Sequence, residues 1–401
     1  MKREWQKYRG RLGETSLPNR RKDIIMQSIK ADVIYTGDRV LKNACVNFTG
    51  DKIVSLTAKP AAEVVGEYKC MTPAFIDAHC HIGMCRSGEP SNEDEANEKL
   101  DTIMALADAL DSVQMDDESF NESVESGFLY SCVVPGSGNI IGGRSAVIRN
   151  YASDTNSAFI CRAGMKGAFG YNPMSTREWK GTRPWTRMGC LSILRTEFLD
   201  ILNKSKGGKK EIEKLSPKQK ALKELLDGKN RLRVHVHKSD DIAALLRFVD
   251  EFKLKVTVEH AGDVHDFATF AELAKRKIPV IYGPMDCFAY KVELKHQDWR
   301  NIKFLVDSGV KFGLMSDHPV IQQGSLFLVL RHFLRIGLSK QQALALLTKA
   351  NAEILGIDKF LGTLEKGKWA SFVCWNGDPF ELTSYPLATF AEGKIVYKSY
   401  E

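Results

Sequence analysis

Between about Leu129 and Leu355, short apolar runs alternate with amphipathic stretches, and this alternation constrains the fold more than any other feature of the chain. LYSCVV leads into a glycine-rich loop, RLRVHV into DDIAALLRFVDEF, and KVTVEH into FATFAELAKRK. IPVIYG and VKFGLMS follow, and a helix-rich tail contains QQALALLTKANAEIL. Strand, loop and helix repeated in this order indicate parallel βα units.

The two ends of the chain read differently. ADVIYTG, CVNFTG and KIVSLTA alternate apolar with polar residues between glycine-marked turns, and β character returns after Gly356 in GTLEKGKWASFVCWNG and ATFAEGKIVYK. A chain of 401 residues suits one large domain plus a smaller one. The expected fold is therefore α/β: a (β/α)8 TIM barrel over 72–355, beside one small β-sandwich assembled from 31–71 and 356–401. Residues 1–30 read as a polar arm, docked through Trp5 and Tyr8. The segment 171–230 is longer and more polar than an ordinary βα loop, so it reads as an insertion at the barrel mouth, with KSKGGKKE as a flexible tip.

Charge excludes little. Lys plus Arg number 57 against 50 Asp plus Glu, a net of +7, with the excess in the N-terminal arm and in the run Lys204 to Lys210. No helix-turn-helix, RNP-type or zinc-finger pattern accompanies these residues, so nucleic acid is not an expected partner. A solvated face or a subunit contact explains them, and assembly into homo-oligomers stays open. Nine cysteines with no CxxC pair argue for a reducing compartment. The basic N-terminus lacks an apolar stretch after it and no run approaches membrane-spanning length, so the expectation is a cytoplasmic protein with no membrane partner.

The residues able to do chemistry sit where apolar runs end. Phe75-Ile76-Asp77-Ala78-His79-Cys80-His81 closes a strand with His-x-His. Side chains alternate along a strand, so His79 and His81 share a face and form a metal-binding pair. Arg233-Val234-His235-Val236-His237 and Val256-Thr257-Val258-Glu259-His260 end two further runs in histidine, and Lys311-Phe312-Gly313-Leu314-Met315-Ser316-Asp317 ends one in aspartate. Parallel barrel strands converge their C-terminal ends on one mouth, so groups far apart in sequence meet there. His265, His296 and His332 read as helix, loop or surface residues.

With its segments TPAFIDAHCHIG, VVPGSGNIIGGR, MKGAFGYNP, RVHVHKSDDI, VEHAG, SDHPV and GTLEKGKWASFVCWNGDPF, the chain from about Ala31 onward resembles the amidohydrolase superfamily, and within it the imidazolonepropionase-like branch. The resemblance implies that His79, His81, His235, His260 and Asp317 hold metal. Of the pair on one strand, His235 is the implied ligand and His237 a pocket group. His318 would shape the pocket. Some relatives carboxylate a strand-four lysine to bridge two metals; Lys166 lies near that place, and an ordinary lysine there is the alternative, so one or two ions remain open. Relatives tend to read GENP where this chain has Gly170-Tyr171-Asn172-Pro173, which puts Tyr171 in place of an acidic residue at the pocket. They also carry Asp-Ala-Asp where Trp369-Ala370-Ser371 stands.

These residues imply a metal-dependent hydrolase that cleaves a C–N bond, in an amide or cyclic amide, of a small-molecule substrate. A divalent cation lowers the pKa of water toward neutrality; Asp317 and His260 are the implied catalytic groups, Asp317 as proton acceptor and donor, His260 as ligand or carbonyl polariser. Zinc fits the histidine-rich set best, and iron or manganese also suit it. Free N–H groups of the glycine-rich loop, with Arg144, offer a site for a substrate carboxylate, against the plainer reading of a tight βα turn. Two alternatives share the motif set: deamination of a heterocycle, and a metal-free binding protein, the latter suggested by Tyr171.

Overall fold

The computed structural model describes residues 25–175 and 183–400. Among the described residues four strands come first, β1 (Met26–Tyr35), β2 (Val40–Thr49), β3 (Lys52–Thr57) and β4 (Glu63–Pro73). Eight more build the barrel: β5 (Phe75–Cys80), β6 (Phe128–Val133), β7 (Ile141–Arg149), β8 (Phe159–Ala168), β9 (Leu232–Val236), β10 (Val256–His260), β11 (Val280–Tyr282) and β12 (Phe312–Leu314). Three close it, β13 (Phe372–Trp375), β14 (Pro386–Ala391) and β15 (Lys394–Lys398). No helix among the described residues is long and apolar enough to cross a membrane.

The first and last strands form one seven-stranded sheet in the order β15-β14-β13-β4-β1-β2-β3. The two ends of the chain meet where β13 runs antiparallel to β4, with Cys374 opposite Met71. This is one continuous sheet where a sandwich was expected, yet it encloses a core as a sandwich does. Phe48 of β2 lies 5.9 Å from Phe372 and 6.2 Å from Phe390 of β14. In a flat sheet β2 would stand roughly 14 Å from β13, which carries Phe372, and roughly 19 Å from β14 at the usual spacing, so the sheet curls until its halves face each other. The sheet also starts earlier than the alternation was taken to start: β1 begins at Met26, and Ile29 and Ala31 are both buried. The rest of the expected arm, with Trp5 and Tyr8, lies outside the described residues.

The barrel strands lie side by side in chain order from β5 to β12. Two backbone bonds join the extension of β12 to β5: His81 N–H donates to the His318 carbonyl at 3.0 Å, and Asp317 N–H to the His79 carbonyl at 3.1 Å. One strand departs from the parallel pattern. β7 runs antiparallel to both β6 and β8. The links 134–140 and 150–158 are shorter than the dozen or more residues that a parallel crossover needs. The glycine-rich segment therefore leads into a reversed strand, and Gly142, Gly143 and Arg144 are part of it. At Gly143 the backbone has φ of 128°, and a Cβ would sit 2.5 Å from the Ala107 carbonyl oxygen, so no larger residue fits.

Along β9 the alternation sorts the side chains. Leu232, Val234 and Val236 join a core that includes Ile242, Leu245 and Phe248 of the helix Ser239–Phe252, which leaves Arg233 and His235 for the barrel interior. The segment 171–230 is not the polar mouth insertion expected. Its described residues form the helices Arg187–Ser205, Lys209–Glu213 and Pro217–Leu226. Cys190, Leu194, Phe198 and Ile201 bury one face of the first, with Phe198 5.7 Å from Phe248. These positions recur every three or four residues, the period of a packed helix. The expected flexible tip at 204–211 is a helix end, a turn at Gly208 with φ of 82°, and the start of the next helix.

Candidate metal centre

The strand ends bring two groups of ligating side chains together at the barrel mouth. His79, His81 and Asp317 place their donor atoms within 4.8 Å of one another, and so do His235, His237 and His260. His260 joins the groups, its ring centroid 4.9 Å from that of His79 and 4.1 Å from that of His235. It reaches this position against the alternation of its strand. Glu259 already points into the barrel toward His79, so a regular His260 would point out. A φ of 80° at His260, followed by 53° at Ala261, turns the strand end and re-aims the ring. Asp317 also has a left-handed backbone, with φ of 53°.

Hydrogen bonds settle which nitrogens carry protons. His79 Nδ1 is 2.8 Å from the Glu259 carboxylate and His81 Nδ1 2.7 Å from the Val134 carbonyl oxygen. Both partners accept, so each Nδ1 donates, and in a neutral ring each Nε2 presents a lone pair. Those lone pairs face Asp317 Oδ1, at 3.4 Å from His79 and 3.2 Å from His81. In neutral rings these two lone pairs and the carboxylate are three converging acceptors, with Lys166 Nζ as a donor 3.2 Å from His79 Nε2. In the other group, His260 Nδ1 donates to the Gly283 carbonyl at 3.1 Å. Its Nε2, and both ring nitrogens of His235 and His237, are buried with no hydrogen-bond partner. Buried polar atoms are rarely left so. Burial, above all, holds His79 below the ordinary imidazole pKa and His235, His237 and His260 well below it, so these rings are neutral ligands.

Charged groups within the apolar runs support the set. Glu259 is fully buried, bonded to His79 and, at 3.0 Å, to Arg233, whose guanidinium also donates to the Ala78 carbonyl at 2.6 Å. Burial raises the Glu259 carboxyl, but Arg233 and then His79 outweigh it and hold it below its usual value. Asp77 accepts hydrogen bonds from Ser316 and Gln323, tying β5 to the segment that carries Asp317. Lys166 Nζ donates to His79 Nε2 at 3.2 Å and to the Pro135 carbonyl at 3.1 Å, and burial lowers its pKa to about 8.

A cavity of about 530 Å³ opens over Asp317 and is lined by His81, His235, His318, Tyr290 and Lys291 among others. Of the expected pocket residues, His318 lines it and His237 is buried behind it, in the histidine group. Arg144 is not in the lining; it sits on the reversed β7, opposite Met165. Tyr171 is half-buried and outside the lining too, but its neighbour Asn172 is in it. Beside position 171, where the resemblance leads one to expect an acid, a carboxylate does stand. Glu293, from the stretch after β11, accepts the Tyr171 N–H, and its other oxygen lies 3.9 Å from His235 Nε2 and 3.6 Å from Lys291 Nζ.

The buried histidines imply a pH dependence of stability in protein stripped of metal. His318, for example, is lowered by burial from 6.5 to about 4. The unfolded chain takes up its proton below pH 6.5 and the folded chain only near pH 4, so stability falls as pH falls through that window. His79, His235, His237 and His260 act in the same direction. Asp77, raised by burial to about 6, and Glu293, also raised by burial, oppose these five histidines. Urea denaturation should show stability dropping by about 1.4 kcal/mol per pH unit for each histidine that titrates. A flat profile between pH 7 and 5 would contradict the buried, neutral assignment.

The chain is similar to known amidohydrolases. The model of the amidohydrolase family matches residues 202–396, which include His235, His260 and Asp317. A curated relative, the amidohydrolase tasK of Hapsidospora irregularis, is 24% identical over 396 residues; the match covers 90% of this chain, which spans only 40% of that protein. The solved structure of an amidohydrolase from Thermotoga maritima superposes with a TM-score of 0.86 at 29% identity, covering 93% of this chain and 100% of that one. A prolidase solved with N-methylphosphonate-L-proline shares the fold at 14% identity and a TM-score of 0.60, over 93% of this chain and 100% of its own. Barrel, converging histidines and matched residues point the same way: over residues 202–396 the chain matches the amidohydrolase family, and its fold is that of solved amidohydrolases.

Proposed function

We propose that this chain is a metal-dependent hydrolase that cleaves a C–N bond, in an amide or cyclic amide, of a small molecule. The observation that carries the reading is the pair of acceptor clusters: lone pairs of His79 and His81 facing a carboxylate oxygen of Asp317, beside three buried imidazoles with unpartnered nitrogens. Neutral imidazoles and one carboxylate fit a divalent ion of the zinc class, and iron or manganese also suit them. His79, His81 and Asp317 would hold one ion, and His235, His260 and His237 would hold or border a second. When bound, such an ion supplies Lewis acidity and lowers the pKa of water toward neutrality.

The remaining work falls to the chain. Asp317, at the floor of the cavity, accepts a proton from the attacking water and returns it to the leaving nitrogen. Glu259 keeps His79 in the Nδ1–H tautomer, and the Gly283 carbonyl does the same for His260. Lys166, with a pKa near 8, holds an appreciable share of neutral amine near neutral pH, the form that carboxylation requires. His318, Tyr290 and Lys291 line the space that receives the substrate.

The test is a panel of N-acyl amino acids, cyclic amides and amino-substituted heterocycles, assayed on protein stripped by chelator and on protein reloaded with zinc, manganese or iron. Turnover that vanishes on stripping and returns on reloading, with an amine released from an amide, is the expected result. Ammonia released from heterocycles alone would replace amide hydrolysis with deamination. Turnover unaffected by stripping would refute the metal-dependent reading.

A further inference from the structure

Outside the barrel centre, a third set of ligating side chains gathers at the mouth. Asp263 and His265 lie just after β10, and His296 lies in the stretch between β11 and β12; their donor atoms are all within 4.8 Å of one another. The loops are about thirty residues apart in sequence, so the meeting is made by the fold. We propose that Asp263, His265 and His296 form a separate, peripheral site for a divalent ion of the zinc class, which clamps the two mouth loops together.

The orientation of each group favours a cation. His265 Nδ1 donates to the Asp263 backbone carbonyl at 2.9 Å, which leaves Nε2 as a lone pair, the arrangement typical of a ligating histidine. Asp263 is buried, and its carboxylate is already positioned: Oδ1 accepts the His296 N–H at 2.6 Å, and Oδ2 stands 3.3 Å from His296 Nδ1. Ligand atoms at about 2.0–2.1 Å from a tetrahedral zinc are roughly 3.3–3.4 Å apart, so this pair already has the spacing of two ligands. The two rings lie 4.3 Å apart and both histidines are exposed, so small side-chain rotations bring the third donor in. Lys238 Nζ, 3.9 Å from Asp263 Oδ2, is the competing positive charge, and its long chain can swing toward solvent.

The clamp would sit beside the catalytic mouth. Asp263 N–H donates to the His237 carbonyl at 3.2 Å, and His296 lies three residues after Glu293, which faces His235. An ion here would fix both loops against movement of the groups that border the cavity. With two imidazoles and one carboxylate it would keep open positions for water, as structural sites with four protein ligands do not.

The proposal is independent of the barrel-centre reading, and metal content separates them. Full-length protein is stripped, reloaded with zinc, passed through gel filtration in metal-free buffer and analysed by mass spectrometry of the element. The expected result is that His265→Ala/His296→Ala holds about one zinc fewer than the natural chain, while His79→Ala/His81→Ala loses a different zinc and the combined variant loses both. His265→Gln/His296→Gln, which keeps polar side chains at the exposed positions, should show the same loss with an unchanged circular dichroism spectrum. Equal zinc in the natural chain and either His265/His296 pair would overturn the peripheral site and leave the barrel centre untouched. Zinc lost only from the His265/His296 pairs would support the peripheral site and count against the barrel centre.

Discussion

Asp317→Asn is expected to lower turnover by about 10²–10⁴-fold, the range that a general acid–base group contributes, while much of the metal stays bound. The amide keeps the shape and one oxygen of the carboxylate, so it still faces His79 and His81, whose distances to Asp317 Oδ1 are 3.4 and 3.2 Å. It cannot take a proton from water. Activity on whichever amide the panel identifies, measured with metal content on the same sample, separates two roles. Near-native turnover would move the base elsewhere, with His237 and His318 the first groups to examine. Loss of metal along with activity would show that Asp317 acts chiefly as a ligand.

Glu259 should give the largest stability effect, and two substitutions divide its roles. Glu259→Ala leaves the Arg233 guanidinium, itself 1% exposed, buried without its carboxylate. Breaking a buried ion pair from one side costs about 3–5 kcal/mol, read as a fall in the urea midpoint. His79 Nδ1 and Arg233 both donate to one Glu259 oxygen, Oε2, so Glu259→Gln, with its amide oxygen in that place, keeps both bonds and loses only the charge. Glu259→Ala removes the acceptor that keeps the hydrogen on His79 Nδ1, which frees the ring to carry it on Nε2, where the lone pair that faces Asp317 is lost. Metal affinity should fall by about 10–100-fold in Glu259→Ala, as when other orienting partners of ligating histidines are removed, and by less in Glu259→Gln. Unchanged affinity in Glu259→Ala would mean that His79 does not bind metal through Nε2.

Much of this was legible because strands and helices impose different periods. RLRVHV alternates polar with apolar residues, so its inward Arg233 and His235 and outward Leu232, Val234 and Val236 follow from the pleat. The residues that meet at the mouth were found by the same means, as histidines and an aspartate closing apolar runs. Other features were hidden. The helices of 187–226 carry many lysines, and polarity counted along the segment masks a buried face at Cys190, Leu194, Phe198 and Ile201. The reversed β7 opens with glycines, which suggested a loop where the short connections require an antiparallel strand. Arg144 followed from that error, since a residue assigned to a loop was expected at the pocket.

At the site itself, the difficulty was charge within apolar runs. Arg233 and Glu259 sit inside strands and could have been flagged, because an isolated charge in a buried strand needs a partner. Pairing them with each other and with His79 required the register, in which β9 and β10 place His235 opposite Glu259. His260 was selected by position, but the alternation that selected it would have aimed it outward; only the left-handed backbone turns it in. Glu293 comes from an irregular stretch with no periodic signal, and only three-dimensional proximity shows it beside Tyr171 and His235.

The central claim is that the converging histidines and Asp317 hold metal. Anomalous diffraction from a crystal of protein reloaded with zinc, collected on both sides of the zinc absorption edge, tests it most directly. A peak is expected among His79, His81 and Asp317, with any second barrel-centre peak among His235, His237 and His260, and ligand distances of about 2.0–2.2 Å. Zinc-reloaded crystals with well-ordered side chains at these positions and no anomalous peak at either would contradict it.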